Sequence, residues 1–403
     1  MKNSYLLLIL FLFLFNCSTK DDTNNPTETP DEVNPNFSTM KVIDGKEFWK
    51  LIKTTDGGYI GIVHSGNYEI IKLDSNFNIT WDKEYGGSES DYAESIIQTN
   101  DGGYLIIGWT TSSDGDVSNN YGDYDIWVIK TDSNGNLIWE KNYGGSKAES
   151  LRGEHLIKQT NDGGFVFVGS TESDDNDVSN SYGDHDIWFV KISSTGDIEF
   201  EKNFGGSEGD YGREVLITQG GYSLLCKVNS LDGDFNKVDN WIVNLNQLGE
   251  LNWKLNLNST NSGAINTLSN GRLVSVSTSL FDYSILTIDG DGNVVNDKTI
   301  GLNGVSTKQP FANKVLETED KGLLIIGDLG NGNNQDAVIF RTNSDLIKIY
   351  HKVYNGNYFD KSRSVFSISS DEYIYQFITN SNDIEGVNYS SFGASVIVGL
   401  EEM

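Results

Sequence analysis

DGGYLIIGWTTSSDGDVSNNYGDYDIWVIKTDSNGNLIWEKNYGG, residues 101–145, comes again as DGGFVFVGSTESDDNDVSNSYGDHDIWFVKISSTGDIEFEKNFGG, residues 162–206. The two align without a gap, and 25 positions are identical. A repeat of this length decides how the rest of the chain is read, because one supersecondary unit cannot bury its apolar face alone and must stack on its neighbours. With the residues just before it, the first copy forms a unit of four β-like runs: Glu94–Thr99, Tyr104–Thr110, Ile126–Thr131 and Leu137–Tyr143. YLIIGW and FVFVG are continuously apolar, the pattern of a strand buried on both faces. DSNG at 132–135 and the Asp-Gly-Gly triplets at 56, 101 and 162 supply the positive-φ residues of tight hairpins.

The unit recurs along the chain in weaker form. Its outer-strand signature, aromatic-x-Lys-x-aromatic-Gly-Gly, appears as WDKEYGG from Trp81, WEKNYGG from Trp139 and FEKNFGG from Phe200. WKLNLNS from Trp253, NDKTIGL from Asn296, YHKVYNG from Tyr350 and TMKVIDG from Thr39 bring the count to seven. Short strands, hairpin turns and a period of roughly 42 to 61 residues predict a seven-bladed β-propeller with four-stranded antiparallel blades. A β-sandwich array is the competitor, but ring closure leaves no long strand edge exposed. The blades are expected at about 46–87, 88–145, 146–206, 207–259, 260–302, 303–356 and 357–403, the last completed by 38–45. That last expectation comes from the ends of the array. Thr39–Gly45 is an outer strand with no inner strands before it, and the final unit has three runs, around Val365, Tyr375 and Val396.

Upstream of the array, Met1–Asn16 reads as a secretory signal: Lys2 is its positive end and Tyr5–Phe15 its apolar core. Leu14-Phe15-Asn16-Cys17 resembles the lipobox of bacterial lipoproteins, which implies lipid attachment at Cys17. Asn16 departs from the Gly, Ala or Ser usual in that motif. Residues 17–37, with prolines at 26, 30 and 35 and no apolar period, read as a disordered tether. Lys20-Asp21-Asp22 resembles the export signal of Bacteroidota-type surface lipoproteins. Together these predict an extracytoplasmic outer-membrane lipoprotein, held to the membrane through its N-terminus. The repeats resemble the uncharacterised β-propeller repeat lipoproteins of Bacteroidota, on units T-x-D-G-G-Y, D-I-W-V-x-K and G-N-x-x-W-x-K-x-Y-G-G. That resemblance implies fold and location and assigns no catalytic residue. Leu73–Trp81 also looks like the quinoprotein repeat, one residue short.

Composition narrows the function further. Fifty-eight acidic residues against 29 basic give a formal net charge of −29, which excludes nucleic acid as a natural partner. Cys226 lies in the apolar run YSLLCKV and reads as a buried hydrophobe, so no disulfide framework forms. The four histidines are scattered, without zinc-site spacing. No G-x-S-x-G, H-E-x-x-H or P-loop occurs. Of the five arginines, Arg152 and Arg213 fall just before inner strands and could approach the channel. Tryptophans 127, 188 and 241 in third strands and 81, 139 and 253 in fourth strands read as packing between blades, with a sugar platform as the alternative. A non-enzymatic binding or scaffolding module, for a glycan or a protein, is the expected function. A quinoprotein-like or glycan-active propeller enzyme is the alternative. No cofactor is required by any motif.

Topology then selects a face. In such blades the first-to-second and third-to-fourth turns share one side of the ring, while the second-to-third loops and the crossovers share the other. The long loops of blades 2 to 4 fall on this second side and are dense in aspartate: Asp114, Asp116, Asp123 and Asp125; Asp174, Asp175, Asp177, Asp184 and Asp186; Asp232 and Asp234. They predict an acidic wall and a partner-binding surface. Asp114, Asp116, Asp175 and Asp177 are the candidate Ca²⁺ ligands, since this ion takes carboxylate oxygens. The alternative is that these carboxylates form Asx-turns that stabilise long loops.

Overall fold

The computed structural model describes residues 36–43, 46–153, 155–259, 263–279, 282–301, 308–330, 335–354, 360–367, 372–379 and 394–401. The signal, Cys17 and most of the expected tether lie outside the described residues. Every described residue belongs to one unit, Val33–Met403. Its strands form seven antiparallel sheets, six of them paired in sequence order from an inner to an outer strand. The chain is a seven-bladed β-propeller. The first six blades occupy 48–85, 91–143, 149–204, 211–256, 264–301 and 310–354. In blade 2 the strands are Asp91–Gln98, Tyr104–Thr110, Asp125–Thr131 and Leu137–Tyr143.

Blade 7 joins the two ends of the array. It holds Asp360–Ser367, Glu372–Thr379 and Ala394–Glu401, and its outer strand is Asn36–Ile43. The register runs antiparallel from Asn36 opposite Glu401 to Ile43 opposite Ser395. The strand therefore takes in Asn36 and Phe37, two residues assigned from sequence to the tether. They are drawn in because the last strand continues to Glu401 and offers them partners.

The core lies between blades. The third strands DIWVIKT and DIWFVKI are buried at every position. One apolar cluster runs unbroken from Leu105 of blade 2 through Trp188 of blade 3 to Val243 of blade 4. Trp127 and Trp188 are fully buried and Trp241 is 7% exposed, so the third-strand tryptophans serve packing. The outer-strand aromatics reach across to the next blade. Trp139 donates from Nε1 to the Ser194 carbonyl at 3.2 Å, and Tyr143 from its hydroxyl to the Gly196 carbonyl at 2.6 Å. Trp253 does the same to Gly290 at 2.9 Å.

The three Asp-Gly-Gly turns and the Asp320-Lys321-Gly322 turn are each fixed by the basic residue of the third strand. Lys72, Lys130, Lys191 and Arg341 are buried along their stems, and their heads meet Asp56 at 2.9 Å, Asp101 at 2.9 Å, Asp162 at 3.1 Å and Asp320 at 2.7 Å. Partial burial works to raise the Asp101 carboxyl, but the Thr99 hydroxyl and the Lys130 ammonium outweigh it and hold the group down at about 2.

Blade 3 departs from the simple repeat. Its inner strand is split into Glu149–Ser150 and Ile157–Gln159, both paired to Phe165–Thr171. The segment from Gly144 to Gly164 is three residues longer than its counterpart from Gly86 to Gly103, and the surplus leaves the ladder. His155 instead bridges in parallel to Glu214 of the next blade.

Candidate functional site

The inner strands carry a systematic irregularity. In blades 1, 2, 4, 6 and 7 the register slips by one residue, at Trp49, Glu94, Arg213, Asn313 and Arg363. A β-bulge leaves its extra residue outside the ladder and bends the strand. All five bulged residues line one cavity of about 340 Å³ on the ring axis, joined by Arg152 from the split strand of blade 3 and Gly263 from blade 5. Because the bulges fall in the first half of each inner strand, the cavity opens at the crossover end. That is the side on which the second-to-third loops stand. Arg152 and Arg213 reach the channel as their sequence positions suggest.

Around this pocket the long loops are arranged by their aspartates. Asp114 accepts the Ser88 amide at 2.7 Å, Asp175 that of Ser146 at 2.7 Å and Asp232 that of Ser207 at 2.8 Å. Asp116, Asp177 and Asp234 accept the amides of Gly86, Gly144 and Gly205 at 3.2, 3.3 and 3.0 Å. Each Asp-x-Asp thus clamps the Gly-Gly-Ser crossover of its own blade. The middle residue has left-handed φ, +67° at Gly115, +54° at Asn176 and +64° at Gly233, the residue types that tolerate it. A Cβ on Gly87 would sit 2.5 Å from Ser112 Cβ and 2.6 Å from Asp114 Oδ1. The second glycine of the Tyr-Gly-Gly signature is therefore the seat of the clamp.

Asp123, Asp174 and Asp184 are exposed on these loops, but Asp125 and Asp186 are not part of an exposed wall. Each is the first residue of a third strand and fully buried. They accept the amides of Tyr121 and Tyr182 at 2.6 Å, closing the loop against the strand. Among the described residues, the four aspartates considered for Ca²⁺ fall in no cluster of three His, Cys or acidic side chains. Among the described residues one such trio occurs, Glu172, Asp184 and His185, with ligand atoms within 4.8 Å of one another. An imidazole in that set suits a transition metal better than Ca²⁺.

Asp125 meets Glu149 of blade 3 across the blade boundary. Burial above all pushes Asp125 up to about 6, with the Asp177 charge adding to it. Burial likewise pushes Glu149 up to about 7, against the Thr171 hydroxyl and with a rise from Asp125. Two carboxyls in one dry site share a proton, since both cannot ionise without repulsion. A raised acid contributes stability that is complete below its unfolded value of about 4 and is lost as pH rises through the folded values, about 6 and about 7. The melting temperature is expected to fall between pH 5 and pH 8. Glu149→Gln should flatten that slope by roughly 1–3 kcal/mol, because the amide supplies the proton permanently. Parallel pH profiles for the two proteins would contradict the shared proton.

Sequence reasoning missed the bulges, yet their signal is present. Trp49, Glu94 and Asn313 each stand seven residues before the turn aspartate, at 56, 101 and 320. It also missed a row of aromatics on the same face. Trp49 stacks on His64 at 4.3 Å, His64 meets Tyr92 at 5.4 Å, Tyr92 meets Trp109 at 4.6 Å and Trp109 meets Tyr124 at 5.2 Å. Tyr124, at the outer end, is 45% exposed.

No protein-family profile matches the chain, and no curated protein matches it. Solved structures do. A protein of unknown function from Bacteroides caccae is 12% identical, with a TM-score of 0.46 over 73% of this chain and 93% of its own. A member of the DUF4221 family from Bacteroides vulgatus is 9% identical, with a TM-score of 0.47 over 93% of this chain and 99% of its own. The Dos1 propeller is 10% identical, with a TM-score of 0.50 over 89% of this chain and 80% of its own. The likeness to the Dos1 propeller bears on the fold alone, and there it agrees with the ring of seven sheets.

Proposed function

We propose that this chain is a lipid-anchored, extracytoplasmic β-propeller that binds a glycan or protein ligand on its loop face without converting it. One observation carries the binding reading: blade after blade bulges or breaks its inner strand at the same end of the ring and turns a residue into one axial pocket. The third and fourth strands also slip register in six blades, so repetition alone does not mark a site; what supports one is that the inner-strand bulges converge on one cavity. The pocket volume falls at the lower end of the range for small-ligand sites. The loops of blades 2 to 4 and the aromatic row surround it, so a larger partner would meet them first.

The anchor rests on the lipobox-like Leu14–Cys17 and the tether that follows. Cys17→Ala should move the protein from the membrane fraction to the soluble one; a variant that stays in the membrane fraction and is processed like the parent sinks the anchor. Binding is tested on glycan and peptide arrays with the purified protein and an Arg152→Glu, Arg213→Glu variant. Signals lost in the variant support the pocket, and signals that survive unchanged place binding elsewhere.

A further inference from the structure

Where one blade meets the next, two polar positions come together at the loop end of the ring. One stands at the start of a third strand: Asn67, Asp125, Asp186, Asp239 and Asp336 in blades 1, 2, 3, 4 and 6. The other is an acid at the start of the next inner strand, and its amide is bonded to the carbonyl just before the first position. Asp91 bonds Gly66 at 2.8 Å, Glu149 bonds Tyr124 at 2.7 Å, Asp210 bonds His185 at 2.6 Å and Asp360 bonds Gln335 at 2.9 Å. The outer strands add Asn142, Asn203 and Asn256, each paired to the tryptophan two residues after the aspartate.

A buried carboxylate needs a donor or a cation, and most of these boundaries supply one from the chain. Between blades 1 and 2 the aspartate is replaced by Asn67, which donates from Nδ2 to Glu84 at 2.6 Å. After blade 4 a lysine takes the place: Lys237 Nζ lies 3.0 Å from Asp239 Oδ2 and 3.2 Å from Asn256 Oδ1. The aspartate and asparagine positions therefore converge on one point. After blade 6, Lys308 Nζ lies 2.7 Å from Asp336 Oδ2. Between blades 2 and 3, Asn142 Oδ1 has no donor among the described residues. There, however, Asp125 and Glu149 adjoin closely enough to hold a proton between them, and a Cβ on Gly144 would collide with both carboxyls.

The boundary of blades 3 and 4 has none of these devices. Asp210 is one methylene shorter than Glu149, and the three atoms nearest a Cβ on Gly205 all belong to Asp186. Both aspartates are fully buried. Asp186 Oδ2 accepts the Tyr182 amide at 2.6 Å and the Ser181 hydroxyl at 3.1 Å, and Asp210 Oδ1 accepts the amides of Asn229 and Ser230 at 2.8 and 3.1 Å. Among the described residues, none donates a hydrogen bond to Asp186 Oδ1, Asp210 Oδ2 or Asn203 Oδ1. The Asn203 side chain is oriented by its Nδ2, which donates to the Asn180 carbonyl. Burial above all raises the Asp186 carboxyl, against the Tyr182 amide and with a further rise from the Asp210 charge. Burial likewise raises Asp210, against the Ser230 hydroxyl and the amides of Asn229, Ser230 and, last, Gly206. Two carboxyls and an amide carbonyl thus each hold a buried oxygen that no donor of the chain meets.

The geometry points to a calcium site between blades 3 and 4, with Asp186, Asp210 and Asn203 as protein ligands and the ion in the place that the Lys237 ammonium takes one blade further on. All three donors are oxygens, and two carboxylates match a doubly charged ion. Water completes the shell, since this ion takes more ligands than three. The site is separate from the axial pocket and does not depend on what binds there.

Calorimetric titration of the purified, chelator-treated protein with calcium chloride and with magnesium chloride tests it, together with melts in calcium and in EDTA. Calcium should bind in the micromolar-to-millimolar range, at least roughly tenfold more tightly than magnesium, and should raise the melting temperature by at least ~3 °C. Asp210→Asn keeps the shape, removes one charge and offers Asp186 an amide donor. It should lose at least roughly tenfold in calcium affinity while melting in EDTA no lower than the parent. Asp184→Lys sets a lysine two residues before Asp186, as Lys237 stands before Asp239. That variant should melt higher than the parent in EDTA and no longer respond to calcium, and it carries the test alone should Asp210→Asn fail to fold. Coincident melts in calcium and EDTA with no binding heat overturn the site. Calcium binding that both variants leave unchanged overturns it too, by placing the ion elsewhere, on the exposed loop aspartates. Magnesium binding as tightly as calcium overturns the choice of ion.

Discussion

A chain lacking Asn36–Ile43 is expected to lose its cooperative fold and not merely one strand. This segment is the outer strand of blade 7, paired along its length to Ala394–Glu401, and the chain runs from it directly into blade 1. Its pairing is what joins the two ends of the array. Without it, blade 7 keeps three strands and the last strand becomes an open edge, with Val396, Ile397 and Val398 beside it, residues that are buried in the closed ring. The melting temperature should fall by at least ~10 °C, and the protein should associate through that edge. Adding a synthetic peptide of residues 36–43 should recover part of the loss. An unchanged melting temperature in the deletion would show that the ring does not depend on this closure.

The second large effect is expected at Trp188. Its side chain is fully buried between blades, edge-on to Phe167 at 5.9 Å, and donates from Nε1 to Glu201 at 3.0 Å. Trp188→Ala removes the largest fully buried side chain of that cluster and leaves a cavity that close-packed strands cannot collapse. The cost should be roughly 3–5 kcal/mol. Trp139→Ala, a half-buried tryptophan resting on the Gly196 turn, should cost clearly less. Denaturant unfolding of the two variants checks this order. If Trp188→Ala kept its stability and lost array binding instead, the tryptophan would belong to a site and not to the core.

These two positions also show what the sequence could carry. Ring closure was legible because strands are counted by their turns, and the count at the two ends was complementary. The packing role of Trp127 and Trp188 was legible because DIWVIK and DIWFVK are apolar without alternation. The aspartates were harder. Asp114 and Asp125 look alike in a loop sequence, yet one is exposed and clamps a crossover while the other is buried against Glu149. Nothing local separates them, because the difference is made by a blade 24 residues further on. The pocket was hidden for another reason. A bulge changes which side chain leaves the ladder without changing composition, so Trp49, Glu94 and Asn313 read as ordinary strand residues. Their common distance from the turn shows itself once the register is known.

The central claim is that ligand binds on the loop face, at the axial pocket. Cys226 is fully buried and burial pushes its thiol far up, so a cysteine introduced on the surface of a Cys17→Ser chain is the reactive one. Asp123→Cys places it on the loop face, and Asn134→Cys on the turn face. Each is to be coupled to a bulky maleimide and its array binding compared with the uncoupled protein. The account predicts that the group at position 123 abolishes or sharply weakens binding while the group at 134 leaves it intact. Loss of binding from position 134, with binding retained at 123, would contradict it.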